Sequence, residues 1–150
     1  VMAADRLLET AKAQADAQVS ERNAREKAEL MRQLGMDEGE SATKASRTMI
    51  RQLEEDQKRR SKRALTDAID RALIDLLAIY RDVLMVQVGG DGELINTDLS
   101  DLVHEIAQDS TPRQTLARVD HIETARKRLV SNGNPLLVLE DMAISLRPQA

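Results

Sequence analysis

The 150-residue chain has no cysteine, no phenylalanine, no tryptophan and one tyrosine, and no apolar run near the about 20 residues that span a bilayer. Without cysteine there is no disulfide framework and no thiolate for zinc or an iron–sulfur cluster, a composition suited to a reducing compartment. Without Phe and Trp, the stacking platform of single-strand nucleic-acid binders and of many small-molecule pockets is missing. Neither sign of charge dominates: 22 Lys and Arg are interspersed with 26 Asp and Glu for a net charge of −4, so the overall field does not favour a polyanion. The N-terminus has neither a signal-peptide core nor the Arg-rich, acid-poor composition of a transit peptide. The expectation is a soluble, cytoplasmic protein with no membrane partner, no small-molecule ligand and no cofactor. Val1 and Met2 already fall within a helical pattern, so the chain reads as a fragment of a longer subunit, with enough apolar residues for a single domain spanning 1–150.

Helix breakers are also scarce, and their placement divides the chain. Met2 to Leu34 contains no Pro or Gly, and Leu8, Ala11, Ala15, Val19, Leu30 and Leu34 recur mostly at steps of three or four, which predicts a first long helix over 1–34. Ser20 to Glu29 offers only Ala24 and Ala28 for burial, so packing there should be thin. Gly35 suits a C′ position, and 35–41 reads as a loop. Ser41 or Thr43 then caps a stretch without breakers to Val88. A straight helix of about 45 residues would be roughly 68 Å long, against a radius of gyration near 15 Å for a compact domain of this size. It must bend, break or project, and Glu54–Arg63, polar all round, is the expected place. There Glu54 with Lys58, Glu55 with Arg59 and Asp56 with Arg60 are spaced for i,i+4 pairs that sustain a helix without burial.

From Leu65 onward the pattern becomes apolar. Leu65, Ile69, Ala72, Leu76, Ile79, Val83 and Val86 form a heptad seam, widened by Leu73, Leu77, Tyr80 and Leu84, and a face this wide belongs to a bundle core. Gly89 to Gly92 ends it. A short helix follows near Asp98 with Leu99, Leu102, Val103 and Ile106 on one face. Thr111, Pro112 and Gln114 form a capping-box start for a helix burying Leu116, Val119, Ile122, Ala125 and Leu129. Gly133 ends that helix, and Asn134 with Pro135 opens the last one, Leu136–Leu146, which is apolar over most of its circumference. The fold class is therefore all-α: a bundle of about five helices with a long charged helix near 42–63.

Catalysis needs a nucleophile beside a base, a carboxylate pair in a pocket, or a metal, and none is evident. His104 and His121 fall on the outward sides of their helices. Gly89 to Gly92 lacks the strand and the Gly-Lys-Ser/Thr of a phosphate loop, and Asp91, Glu93 and Asp98 lack calcium-loop spacing. Asp98 with Asp101, and Glu140 with Asp141, read as a helix-start acid pair and a polar stripe. Lys58, Arg59, Arg60, Lys62 and Arg63 are the one stretch that fits phosphate contact, and they fit a solvated helix face better.

Three stretches carry a family resemblance. Arg71–Asp75 continuing through Tyr80, Arg81, Asp82, Val83 and Leu84, then Leu94–Leu99, then Asn132, Gly133, Asn134, Pro135 and Leu136 through Leu139 and Glu140, together resemble the C-terminal collar domain of the delta-prime subunit of the bacterial DNA polymerase III clamp loader. The form is that of high-GC Gram-positive bacteria, with Gly133 standing where a bulkier apolar residue is usual. The resemblance covers 65–147 well and 1–34 more loosely, and 35–63 resembles a lineage-specific charged insertion before a bundle core at 64–150. It implies a non-catalytic oligomerisation domain joining others in a five-membered collar, within a loader that is ATP-dependent and reaches DNA and the sliding clamp only through the complex. The other loader subunits are the expected partners. Tyr80, Leu84, Leu137, Leu139, Met142 and Leu146 are the expected partner surface, and Arg81, Asp82, Asn132, Asn134, Pro135 and Glu140 the structural signature. A nucleic-acid-contacting module built on 58–63 and a self-associating bundle are the competing readings.

Overall fold

A computed structural model describes residues 2–35 and 43–147. The described residues form five α-helices and no strand: α1 (Met2–Gln33), α2 (Lys44–Gln87), α3 (Ser100–Gln108), α4 (Pro112–Val130) and α5 (Pro135–Ser145), with a 3-10 turn over Thr97–Leu99. They divide into two compact units, one from 1–9 and 69–150, the other from 10–68. Both long helices contribute to both units. The all-α expectation holds, and α2 is a single helix of 44 residues with no break at Glu54–Arg63.

The helix ends follow local chemistry. The Ser46 N–H donates to the Thr43 hydroxyl at 3.1 Å, capping α2, while the alternative cap Ser41 lies outside the described residues. Thr111 and Gln114 close the predicted capping box with Pro112 at the first position, and the Asn134 carboxamide accepts from the Leu137 N–H at 3.2 Å. Gly35 and Gly89 take the left-handed conformation that ends α1 and α2. At the end of α4 the left-handed position expected of Gly133 falls one residue earlier. Asn132 takes positive φ (63°), and Gly133 occupies the next position, its N–H donating to the Arg128 carbonyl at 2.8 Å. Asparagine tolerates the left-handed conformation. Glycine is required one residue later because a Cβ there would lie 2.7 Å from the Arg128 oxygen and 2.9 Å from Val138 Cγ2.

In the 10–68 unit, α1 and α2 run antiparallel. Ala15, Val19 and Ala64 form a small apolar cluster with Leu65 against it, and small side chains let the backbones approach. Beyond it the inward positions turn polar. Arg60 Nη1 donates to Asn23 Oδ1 at 2.7 Å and to Glu26 Oε2 at 2.8 Å, Gln57 donates to the Asn23 carbonyl at 2.8 Å, and Lys27 pairs with Glu54 at 2.8 Å. The charged stretch therefore packs through hydrogen bonds instead of standing alone. Of the expected pairs along α2, Asp56 takes Arg59, while Glu54 and Arg60 turn to α1. Ala24 and Ala28, the apolar residues available there, are exposed. The guanidinium of Arg60, and after it that of Arg22, holds the Glu26 carboxyl down to about 2.

The other unit holds the aliphatic core. Ile69, Leu73 and Val83 on α2, Val103 on α3, Ile122 on α4 and Leu139 on α5 are fully buried, each contributing about 1.5–3 kcal/mol. The centre of the α2 face runs through Ile69, Leu73, Tyr80 and Val83, and Ala72, Ile79 and Val86 are only half-buried. On α4, Leu116 is 51% exposed and Thr115 is fully buried, contrary to the periodic reading. The Thr115 hydroxyl donates to Gln87 Oε1 at 2.8 Å, and Gln87 Nε2 donates to the Ser110 carbonyl at 2.8 Å. That partner makes a polar residue the inward one. Leu102 on α3 is likewise turned out. Arg126 on α4 clasps Asp70 on α2 through Nε and Nη2, at 2.7 and 3.2 Å.

Asp82 is the buried charge of this unit, with no exposed surface. Its carboxylate accepts from the N–H groups of Ile95 (3.0 Å) and Asn96 (2.8 Å), from Asn96 Nδ2 (3.0 Å) and from Arg81 (2.8 Å). Arg81 also donates to the Glu93 carbonyl at 3.0 Å. Two of the stretches that carry the family resemblance, Tyr80–Leu84 and Leu94–Leu99, thus meet at one side chain. Burial works to raise the Asp82 carboxyl, and the donors of Ile95, Asn96 and Arg81 outweigh it and lower it to about 2.

Two outcomes follow. Gly133→Ala should destabilise the protein by about 1–3 kcal/mol, the cost of forcing a methyl into a filled site, read as a lowered midpoint in urea; an unchanged midpoint would show that the turn relaxes freely. Asp82→Asn places an amide donor against backbone N–H groups and should cost about 1–3 kcal/mol at pH 7. Because the folded-state pKa of Asp82 is depressed, its contribution is complete above the ordinary carboxylate range and fades as pH falls toward about 2. The gap between variant and wild type should close over that interval, and a gap independent of pH would contradict the assignment.

Candidate partner interface

The last helix is apolar on more than one side, and its own unit covers only part of it. Val138, Leu139 and Met142 are buried, whereas Leu137 is 63% and Ile144 55% exposed. Leu137 and Ile144 are seven residues apart and share a face. On another side α5 borders an apolar groove of about 310 Å³, lined by Ala3, Ala4 and Leu7 of α1, Leu76 of α2, and Leu139, Met142, Ala143 and Leu146, with Arg147 at its rim. Alanines at three of these positions leave the space open, and the chain has no Phe or Trp to fill it.

The residues expected to meet a partner are thus divided. Leu139 and Met142 form part of the groove wall but are almost wholly buried, and Tyr80 is buried in the core of the unit. Leu139 and Met142 occupy the inward positions of α5 and Tyr80 the inward face of α2, so all three contact their own unit. Leu146 is half-buried in the groove, Leu84 is half-buried on α2, and Leu137 offers the largest exposed surface of the six. Ala3 and Ala4 escaped the sequence reading because alanine carries little hydrophobic signal, and Leu7 because it stands beside the Leu8, Ala11 and Ala15 face; the α5 packing gives all three a groove to line.

The structural signature residues act locally. Arg81 and Asp82 hold the 93–96 segment, Asn132 and Asn134 shape the α4–α5 turn with Pro135 as first residue of α5, and Glu140 is half-buried on α5. In the basic stretch, Lys58, Arg59, Lys62 and Arg63 are exposed and Arg60 is half-buried; Arg59 pairs with Asp56, and Arg60 with Glu26. A larger groove of about 620 Å³ in the 10–68 unit is lined by Leu30, Met49 and Leu53 with Glu26, Glu29 and Asp56 around them. Each of those carboxylates is already paired with an arginine.

His104 and His121 are both exposed, and His104 donates from Nδ1 to the Ser100 carbonyl at 2.7 Å. Among the described residues no group of three or more His, Cys, Asp or Glu is placed to hold a metal ion, and no helix is long and apolar enough to cross a membrane.

Comparison with known proteins bears on what such a surface is for. The family described as DNA polymerase III, delta subunit, C terminal matches residues 41–147, a span that takes in the charged stretch as well as the aliphatic unit. DNA polymerase III subunit delta' of Bacillus subtilis (strain 168) is 36% identical over 72 residues, which is 48% of this chain and 22% of that protein. The chain therefore spans about a fifth of that relative's length. No solved structure matches it. With its order of capped helices and its match across 41–147, this chain belongs to the family of C-terminal domains of DNA polymerase III delta subunits.

Proposed function

We propose that this chain is the collar domain of a clamp-loader delta-prime subunit, of the type found in high-GC Gram-positive bacteria, and that it contributes assembly rather than chemistry. The observation that carries the reading is the uncovered apolar surface of α5: the groove beside Leu146 and the exposed Leu137 and Ile144. A helix with so much apolar surface left over by its own unit is suited to helix-on-helix docking, in which an apolar ridge fills a groove between helices. Leu84, Leu137 and Leu146, with Leu7 and Ala143 added from the groove, are the residues assigned to contact, and the collars of the other loader subunits are the partners. DNA and the sliding clamp are then reached through the complex, in the cytoplasm. A phosphate-binding role for 58–63 is less well supported, because Arg59 and Arg60 are already engaged within the chain.

The test is co-elution of the protein with the remaining clamp-loader subunits. Wild type should enter the assembly at micromolar concentration, and Leu146→Asp should weaken entry at least about tenfold by burying an unpaired charge in the contact, with circular dichroism unchanged. Failure of wild type to associate, or association only with itself in sedimentation, would reject the collar reading.

A further inference from the structure

Beside the apolar groove lies a second, smaller concavity of about 50 Å³ between α4 and the end of α5, lined by Gln114, Ala117, Arg118, His121, Ser145 and Arg147. Its lining contains two guanidinium groups, an imidazole and no carboxylate. Three other arginines of the same unit are matched, Arg81 by Asp82, Arg126 by Asp70 and Glu123, and Arg128 by Asp141, and Arg71 and Arg113 lie outside the concavity. Arg118 and Arg147 make no ion pair among the described residues. Two polar side chains in the concavity are already partly committed. Gln114 Oε1 accepts from the Thr111 N–H at 2.9 Å and Ser145 donates to the Asp141 carbonyl at 2.9 Å, which leaves the Gln114 amide N–H groups, both guanidiniums and the imidazole facing an unfilled space.

We propose that this concavity receives a carboxylate side chain from the neighbouring subunit, with Arg118 and Arg147 as its principal donors. The proposal rests on the assembly reading above and names the polar anchor of that contact. Arg147 lines both the concavity and the apolar groove, and Leu146 beside it lines the groove, so the cationic and apolar surfaces are continuous across two adjacent residues. The complementary element is a helix carrying an aliphatic ridge with an acidic residue at its end. Paired guanidiniums bind a carboxylate with geometric specificity. A nucleic-acid phosphate fits less well: a phosphodiester backbone has no aliphatic ridge to set in the adjoining groove, and the chain's net charge of −4 works against a polyanion.

The experiment measures binding of the protein to the remaining loader subunits across a series of salt concentrations, for wild type, Arg118→Gln, Arg147→Gln, the double variant, and Arg113→Glu as a control on α4 outside the concavity. DNA duplex binding is measured in parallel. The double variant should bind the subunits at least about tenfold more weakly at low salt, with a shallower salt dependence, and Arg113→Glu should behave as wild type. Arg147→Gln lies beyond the last turn of α5, so a fold defect in Arg118→Gln leaves it as the deciding variant. Wild-type binding with all variants equal to it would overturn this proposal and leave the collar reading standing. Absence of wild-type binding would instead overturn the collar reading. A double variant that loses DNA affinity and keeps subunit affinity would assign the concavity to phosphate and also overturn the proposal.

Discussion

Asp82 lies with no exposed surface on the inward side of α2, where a carboxylate without partners would be expensive. Four donors meet it, and three of them belong to Ile95 and Asn96, thirteen and fourteen residues further along. The segment between α2 and α3 contains three glycines in four residues and little apolar content, so hydrophobic burial alone cannot fix its path. Asp82 fixes it instead, and so sets where α3 begins and where Val103 enters the core. From there the connections are short, and each capped start aims the next helix.

The same logic recurs wherever aliphatic packing runs out. A chain without Phe or Trp builds its core from Leu, Ile, Val and Ala, which bury less surface per residue than large aromatics. Polar ties stand at the seams: Gln87 between the end of α2 and Thr115 of α4, Arg126 on Asp70, and Arg60 between Asn23 and Glu26 in the 10–68 unit. Each is satisfied on several sides, which separates a structural polar network from a costly buried group. The aliphatic economy also leaves alanine-lined space beside α5, and that space is where the functional reading rests.

Much of this was legible in the sequence. Thr111, Pro112 and Gln114 predicted the start of α4, and Asn134 with Pro135 that of α5, because capping depends on residues a few positions apart. The all-helical class followed from the placement of the few breakers. Rotational detail did not follow. Leu116 outranks Thr115 on any hydrophobic count, and only Gln87, 28 residues away, turns the threonine inward. Leu139 and Met142 were expected on a partner surface and are buried in their own unit, since an all-apolar helix does not reveal from its own sequence which side its neighbours take; Tyr80, on α2, is buried as well. Arg60 read as part of a solvated run because its partners, Asn23 and Glu26, lie on another helix. Asn132, not Gly133, takes the left-handed position, and Gly133 is needed next to it because of crowding by Val138 and the Arg128 carbonyl, neither predictable from the turn alone.

The claim that joins these points is that the apolar surface around α5 is left open by the fold for another subunit to cover. Backbone hydrogen exchange compared between the free protein and the assembled clamp loader addresses it directly. The account predicts that amides of Leu137–Leu146 and of the first turns of α1, including Leu7, exchange more slowly in the assembly, while the Asp82-held segment at Ile95 and Asn96 keeps the protection it has in the free protein. Equal exchange across α5 in both states, with protection appearing elsewhere, would contradict it.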